Sequence, residues 1–358
     1  MTIRVLLVGK GTPERGGIPT FLGTLLESDL VETYDVEFLN VAHAGTPQGG
    51  RASRGNLCRT ASDALAVWRL SSDRDVVHIH SALAPLVTLL RAGILTLAAR
   101  ARGAPVVLHA HGGLIQLWLI NPRRRAVARV ALAGVGRVAA VSEGGRVALE
   151  EALGSRRVVT VHNGVDTEAF RPAAERHHPP RILYAGLLTP RKGVVDLIRA
   201  SELLRDRGWH HELWLAGGTP DEGPAGEAEV QAAAGAGVRL LGPVPREAMP
   251  DLYRQVDMFC LPSWWEAAPL SILEAMASGL AVVATDVGDV PSMVADGETG
   301  FVVPLRDAEA LADALGRLLG DAELCRTCGE AGRRRACAAF SSASTSHAIA
   351  ALYEELVR

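Results

Sequence analysis

Short runs of Val, Ile and Leu alternate with segments of helical periodicity almost from one end of the chain to the other. Apolar runs bounded by turn residues read as strands buried on both faces, the pattern of a parallel sheet built from βαβ units. The first half predicts strands at Ile3–Val8, Asp35–Leu39, Val76–His80, Val106–Ala110, Val138–Ser142 and Val158–His162. The second half predicts Arg181–Ala185, His211–Ala216, Val238–Leu240, Met258–Leu261, Ala281–Ala284 and Phe301–Val303. Between them, Arg171–Pro180 (RPAAERHHPP) ends the periodicity and starts nothing new, so a domain boundary is expected there. The chain therefore reads as α/β with two doubly wound halves, residues 1–172 and 173–340. A last amphipathic helix within 341–358 is free to pack back on the first.

Length agrees, since 358 residues at roughly 150 per domain make about two domains. With 48% hydrophobic and 22% charged residues the composition is globular, which excludes a disordered or collagenous chain. Lys and Arg number 37 against 40 Asp and Glu, so 37 − 40 = −3, and no global basic field recommends a nucleic acid as partner. The 5 cysteines are odd in number and scattered, which argues for a reducing cytoplasm rather than a disulfide framework. Cys325 and Cys328 have CxxC spacing without a second ligand pair, and read as incidental thiols. The apolar run in Met1–Lys10 is too short for a secretory core and is shaped like a strand. Ala82–Ala101, the longest apolar stretch, is broken by Pro85 and carries Arg91, so it reads as a crossover helix, not a membrane span.

In open α/β sheets the ligand crevice lies beyond the carboxyl ends of the strands, and the unusual residues of this chain follow strands. After the first comes Gly9-Lys10-Gly11-Thr12-Pro13-Glu14-Arg15-Gly16-Gly17. It matches neither the dinucleotide fingerprint nor the Walker loop, and it stands equally for a phosphate-binding turn or for glycines chosen for backbone angles. His111 leaves the fourth strand, with His109 two residues earlier on the same face; no Asp, Glu or Cys nearby in sequence completes a metal set. Gly186 is followed by Pro190-Arg191-Lys192-Gly193 and a helix. Two cations at a helix start oppose the macrodipole unless an anion shares the site. The most specific segment is Pro262-Ser263-Trp264-Trp265-Glu266-Ala267-Ala268-Pro269-Leu270-Ser271-Ile272-Leu273-Glu274. Pro269 suits the first helical position, leaving the amides of Leu270, Ser271 and Ile272 free for a diphosphate, with Glu274 placed to grip a vicinal diol.

This segment resembles the Glu-x7-Glu signature of retaining GT-B glycosyltransferases, glycosyltransferase family 4 in particular. Val282–Pro291, Asp296–Phe301, Val161–Phe170 and Pro190–Gly193 are similar to the family's pattern in the same order. The resemblance implies a GT-B fold, two Rossmann-like domains facing each other across a cleft. It implies a nucleotide-sugar donor, UDP-sugar ahead of GDP-sugar, held by the C-terminal domain, and retention at the sugar. The acceptor would be a glycan, a lipid-linked or a small-molecule hydroxyl, and no cofactor or metal is expected. Carried over by position, Lys192 contacts the diphosphate, Leu270 and Ser271 offer it amides, Glu274 takes the ribose and Glu266 the donor sugar. Gly16 and Gly17 match the N-terminal glycine loop, and His111 the active-site histidine. Two departures stand out. Leu187 follows Gly186 where the family often has Arg, so one diphosphate cation is absent or replaced by Arg191, and Ala267 replaces a common glycine. An epimerase or phosphorylase of the same fold, or a nucleotide-sugar-binding protein without turnover, are the competing readings. Arg123-Arg124-Arg125 and Arg129, next to the apolar Leu114–Ile120, suggest peripheral contact with the inner face of a membrane or, equally, a solvated helix.

Overall fold

The computed structural model describes residues 2–14, 16–43, 53–154, 157–173, 176–218, 225–235 and 237–358. Arg15 of the glycine-rich loop and two residues of the proline-rich segment, 174 and 175, lie outside them. The described strands are β1 Arg4–Gly9, β2 Asp35–Asn40, β3 Val76–Ser81, β4 Val106–Ala110, β5 Arg137–Ala140 and β6 Val158–Thr160 in the first half. They continue with β7 Arg181–Ala185, β8 Glu212–Ala216, β9 Val238–Gly242, β10 Met258–Leu261, β11 Ala281–Thr285 and β12 Gly300–Val303 in the second. Each predicted apolar run has become a strand, with ends shifted by a residue or two, because helices cover both faces and the run itself fills the buried positions.

Pairing is parallel throughout both sheets. The first runs β2-β1-β3-β4-β5-β6 and the second β12-β11-β10-β7-β8-β9. In the second, the chain winds outward from β7 to β9, then returns to β10 on the other side of β7. The loops leaving these two neighbours diverge, and the crevice opens between them. In the first the reversal lies between β1 and β3.

Two compact units follow, residues 1–164 with 342–358, and residues 165–341. The division expected at 172/173 and 340/341 falls instead at 164/165 and 341/342. A bridge from Val165 to Ser341 brings both crossings together, and the proline-rich segment lies inside the second unit. Helix Ser342–Val357 belongs to the first unit. Ile349, Leu352 and Tyr353 are buried there, each contributing about 1.5–3 kcal/mol, while Ser346 Oγ meets Ser28 Oγ at 2.8 Å. Helix Leu86–Arg100 fills the long apolar stretch, and among the described residues no helix is long and apolar enough to cross a membrane.

Candidate functional site

The second unit carries seven of the predicted positions, on the loops and the helix start around its reversal point. After β7 the chain passes Gly186 and makes a single 3-10 turn, Pro190–Lys192, before helix Val194–Asp206. Gly193 links turn and helix at φ 63°, and a Cβ there would stand 2.0 Å from the Pro262 carbonyl oxygen. This close approach lets the Trp264 amide donate to the Arg191 carbonyl at 2.8 Å, tying the β7 loop to the β10 loop. Across that tie the Lys192 ammonium donates to Glu266 Oε1, and the Ser263 hydroxyl donates to the same oxygen at 2.8 Å. The two charged side chains are 14% and 11% exposed, so the pair is largely desolvated.

The β11 loop closes the floor. The Asp289 amide donates to the Ala267 carbonyl at 2.8 Å, and Gly288, at φ 55°, would set a Cβ 2.4 Å from the Glu266 carbonyl oxygen. The Trp264 indole donates to Asp196 at 2.7 Å, and Arg306 stacks on its ring at 4.2 Å. Arg191 stands over the ring of Trp265, the neighbour of Glu266, at 5.7 Å. The Tyr184 hydroxyl donates to the Leu187 carbonyl at 2.8 Å. Burial pushes that phenol well up, and Glu266 adds to the shift while Arg191 opposes it. A Cβ on Gly186 would meet the same hydroxyl at 2.8 Å.

Helix Leu270–Ala277 carries the remaining predicted groups. Pro269 is its N-cap rather than its first residue, with extended backbone and no capping side chain. Among the described residues the amides of Leu270 and Ser271 have no protein acceptor, as expected; that of Ile272 donates to the Pro269 carbonyl at 3.2 Å and is not free. Glu274, one turn on, accepts from the Tyr253 hydroxyl at 2.9 Å. Burial raises the Glu274 carboxyl above its usual range, against the lowering pull of that hydroxyl and of Arg246. Ser263 lies in the Pro262–Glu274 segment, whose pattern assigns it no role; Tyr253 and Arg246 were not singled out at all, since no motif marks them and only the fold brings them near Glu274.

His111, Gly16 and Gly17 lie in the first unit. Gly16 caps helix Gly17–Leu26 at φ 129°, and added Cβ atoms on either glycine meet nothing within 4 Å. Gly16 is thus required by its backbone, Gly17 by neither backbone nor space. Lys10 of the same loop is spent on Glu14 at 2.8 Å. His111 Nε2 lies 2.9 Å from His80 Nδ1, and Phe21 covers its ring at 4.8 Å. The incomplete metal set expected around His109 is corrected: β3 supplies His78 and His80, and with His109 they form a cluster of buried imidazoles. The chain's Asp-x-Asp, Asp73-Arg74-Asp75, precedes β3 at the amino end of the sheet, with Asp75 bonded to the Arg4 amide at 2.8 Å. Of the basic cluster, Arg125 and Arg129 bond the carbonyls of Leu119 and Ala152, and Arg124 lies over Trp118. Cys325 and Cys328 are buried, and burial pushes the Cys325 thiol up to about 11.

Residues 21–169 match the family profile described as Glycosyltransferase Family 4, and residues 179–321 that described as Glycosyl transferases group 1. The phosphatidyl-myo-inositol mannosyltransferase of Mycolicibacterium smegmatis is 31% identical over 285 residues, 78% of this chain and 70% of that protein. The GDP-mannose-dependent alpha-(1-6)-phosphatidylinositol monomannoside mannosyltransferase of the same organism is 30% identical over 367 residues, covering 92% of each. Among solved structures, sucrose-phosphate synthase from Thermosynechococcus elongatus superposes with a TM-score of 0.81 over 99% of both chains at 22% identity. Anabaena HepE in complex with UDP-glucose gives 0.77 at 19% identity, over 99% of this chain and 100% of that one. At these identities the structural likeness speaks to the fold.

Proposed function

Since the chain belongs to glycosyltransferase family 4, we propose that it moves a hexosyl group from a nucleotide sugar to an acceptor hydroxyl with retention of configuration. The observation that carries this reading is the convergence of Lys192, Glu266 and the uncapped Leu270 helix at the reversal point of the second sheet. Cleavage of a nucleotide sugar passes through an oxocarbenium-like state while negative charge grows on the departing diphosphate. Lys192, Arg191 and the amides of Leu270 and Ser271 stabilise that charge without a divalent ion. Glu274 binds the ribose hydroxyls and Glu266 the donor sugar. In the first unit, His111 and the Gly16-Gly17 loop serve the acceptor side.

The names of the two mannosyltransferase relatives support GDP-mannose as the first donor to test, ahead of the UDP-sugars. They also support a lipid-linked inositol acceptor. The surface of the first unit is consistent with work at the cytoplasmic face of a membrane: Leu86, Leu90, Ile94 and Leu97 form one exposed stripe on their helix, and Leu117, Ile120 and Val130 are exposed beside Arg123 and Arg124. The test is product analysis with GDP-mannose, UDP-glucose and ADP-glucose, with and without phosphatidylinositol. Transfer of an α-linked sugar from one donor supports the reading. Donor binding without hydrolysis or transfer would leave a binding protein, and release of an epimerised nucleotide sugar an epimerase.

A further inference from the structure

β3 and β4 each carry a His-x-His pair, His78/His80 and His109/His111, and the parallel register sets His80 directly beside His109. Strand alternation then puts all four imidazoles on one face of the sheet. Ring centroids of His78 and His80 are 4.2 Å apart, those of His80 and His109 5.0 Å, and those of His78 and His109 5.4 Å. His78 and His109 are fully buried and His80 nearly so.

The hydrogen bonds of these rings are divided unevenly. His78 Nδ1 lies 2.7 Å from the Tyr353 hydroxyl, and His80 Nδ1 2.9 Å from His111 Nε2. The Val161 backbone near His109 acts against the effect of burial on that ring, yet neither of its nitrogens closes a hydrogen bond. The Nε2 atoms of His78 and His80 and both nitrogens of His109 are buried without a hydrogen-bond partner. Buried polar atoms are ordinarily hydrogen-bonded, so several orphans in one place call for something that satisfies them. Burial also keeps the rings deprotonated, with His109 pushed down to about 3.

We propose that His78, His80 and His109 form a binding site for one divalent transition-metal ion of the Zn2+ type, buried in the first unit. Imidazole is a preferred ligand of such ions, and three-histidine sets with an open fourth position are an established donor set. The three donor nitrogens lie within 4.8 Å of one another. A tetrahedral site with bonds of 2.0–2.1 Å needs them about 3.3 Å apart, which rotation of the broad imidazole torsion supplies. The second shell is already in place, because metal-bound histidines engage their other nitrogen with a neighbour, as His78 and His80 do. Three neutral ligands leave the ion's charge uncompensated, so the fourth position belongs to hydroxide or another small anion. The bound ion would cross-link β3 to β4 and, through His78 and Tyr353, brace the C-terminal helix. The site lies within the first unit, where His80 adjoins His111 of the acceptor-side reading, but its test reads metal binding and does not depend on transfer activity.

The test uses tag-free full-length protein, stripped by a chelator and titrated with Co2+. One equivalent should bind with the visible absorption of a tetrahedral ion and without thiolate charge transfer, Zn2+ should displace it, and Tm should rise with Zn2+. His80→Gln and His109→Gln should abolish the band, while His210→Gln at the surface keeps it. Should those core variants fail to fold, the imidazole 15N shifts of the wild type decide: His78, His80 and His109 should move on adding Zn2+ and His177 should not. Absence of a stoichiometric Co2+ band, a band that persists in a folded His109→Gln, or unmoved 15N shifts overturns the proposal.

Discussion

The ammonium of Lys192 is bonded to the carboxylate of Glu266, 74 residues further along the chain, and neither side chain is more than 14% exposed. Removing one partner of such a pair strands the other, at a cost that reaches about 3–5 kcal/mol when burial is complete. Lys192→Met and Glu266→Gln should each lower Tm, and the double variant should recover part of the loss through positive coupling. Turnover should fall about a hundredfold or more in all three. Additive stability losses would show that the pair is not coupled, and retained turnover in either single variant would remove its catalytic assignment.

The β10 loop is shaped by glycines on both sides of it. A Cβ at position 193 would stand 2.0 Å from Pro262 O, and one at position 288 2.4 Å from Glu266 O, both at positive φ. Gly193→Ala and Gly288→Ala should therefore displace Glu266, with stability losses of about 1–3 kcal/mol and a fall in kcat. Gly17→Ala meets no neighbour within 4 Å and should keep the wild-type Tm. If Gly17→Ala also keeps its KM for the acceptor, the glycine loop has no part in acceptor binding.

Glu274 offers a pH test with a fixed sign. Its folded pKa is raised by burial, so the native state holds the proton more tightly than the unfolded chain. The stability it contributes is complete below the unfolded value near 4.3 and is lost as pH rises through the folded value. Glu274→Gln should then melt higher than wild type at pH 8, by a margin that shrinks toward pH 4, while donor KM rises. A Tm difference of zero or of the opposite sign at pH 8 would show the carboxylate to be well accommodated as an anion.

The exposed stripe on helix Leu86–Arg100 predicts sedimentation with anionic vesicles. Wild type should bind phosphatidylglycerol vesicles more than phosphatidylcholine ones, and Leu90→Glu/Ile94→Glu should release it without lowering Tm. Equal binding by the variant would place the membrane contact elsewhere.

The fold was largely legible because buried parallel strands are written as unbroken apolar runs, and all twelve candidate runs became strands. The grouping of the candidate site was legible in part, since Glu266, Leu270, Ser271 and Glu274 lie in one continuous segment and Lys192, which the structure bonds to Glu266, in another with an unusual charge pattern. What escaped depends on contacts across the sheets. His78 and His80 look like ordinary strand residues until register sets them beside His109. Tyr253 reaches Glu274 only because β10 and the Leu270 helix fold back on its own helix. The unit boundary follows the Val165–Ser341 bridge rather than the proline-rich segment that marks composition.

The central claim is that the second unit binds a pyrophosphate through Lys192 and the start of the Leu270 helix. Calorimetric titration of GDP and GMP, with no divalent ion added, tests it most directly. GDP should bind wild type at least about tenfold more tightly than GMP, a difference of about 1.4 kcal/mol, and Lys192→Met should erase most of that margin. Equal affinity for GDP and GMP, or an undiminished preference in a folded Lys192→Met variant, would contradict the account.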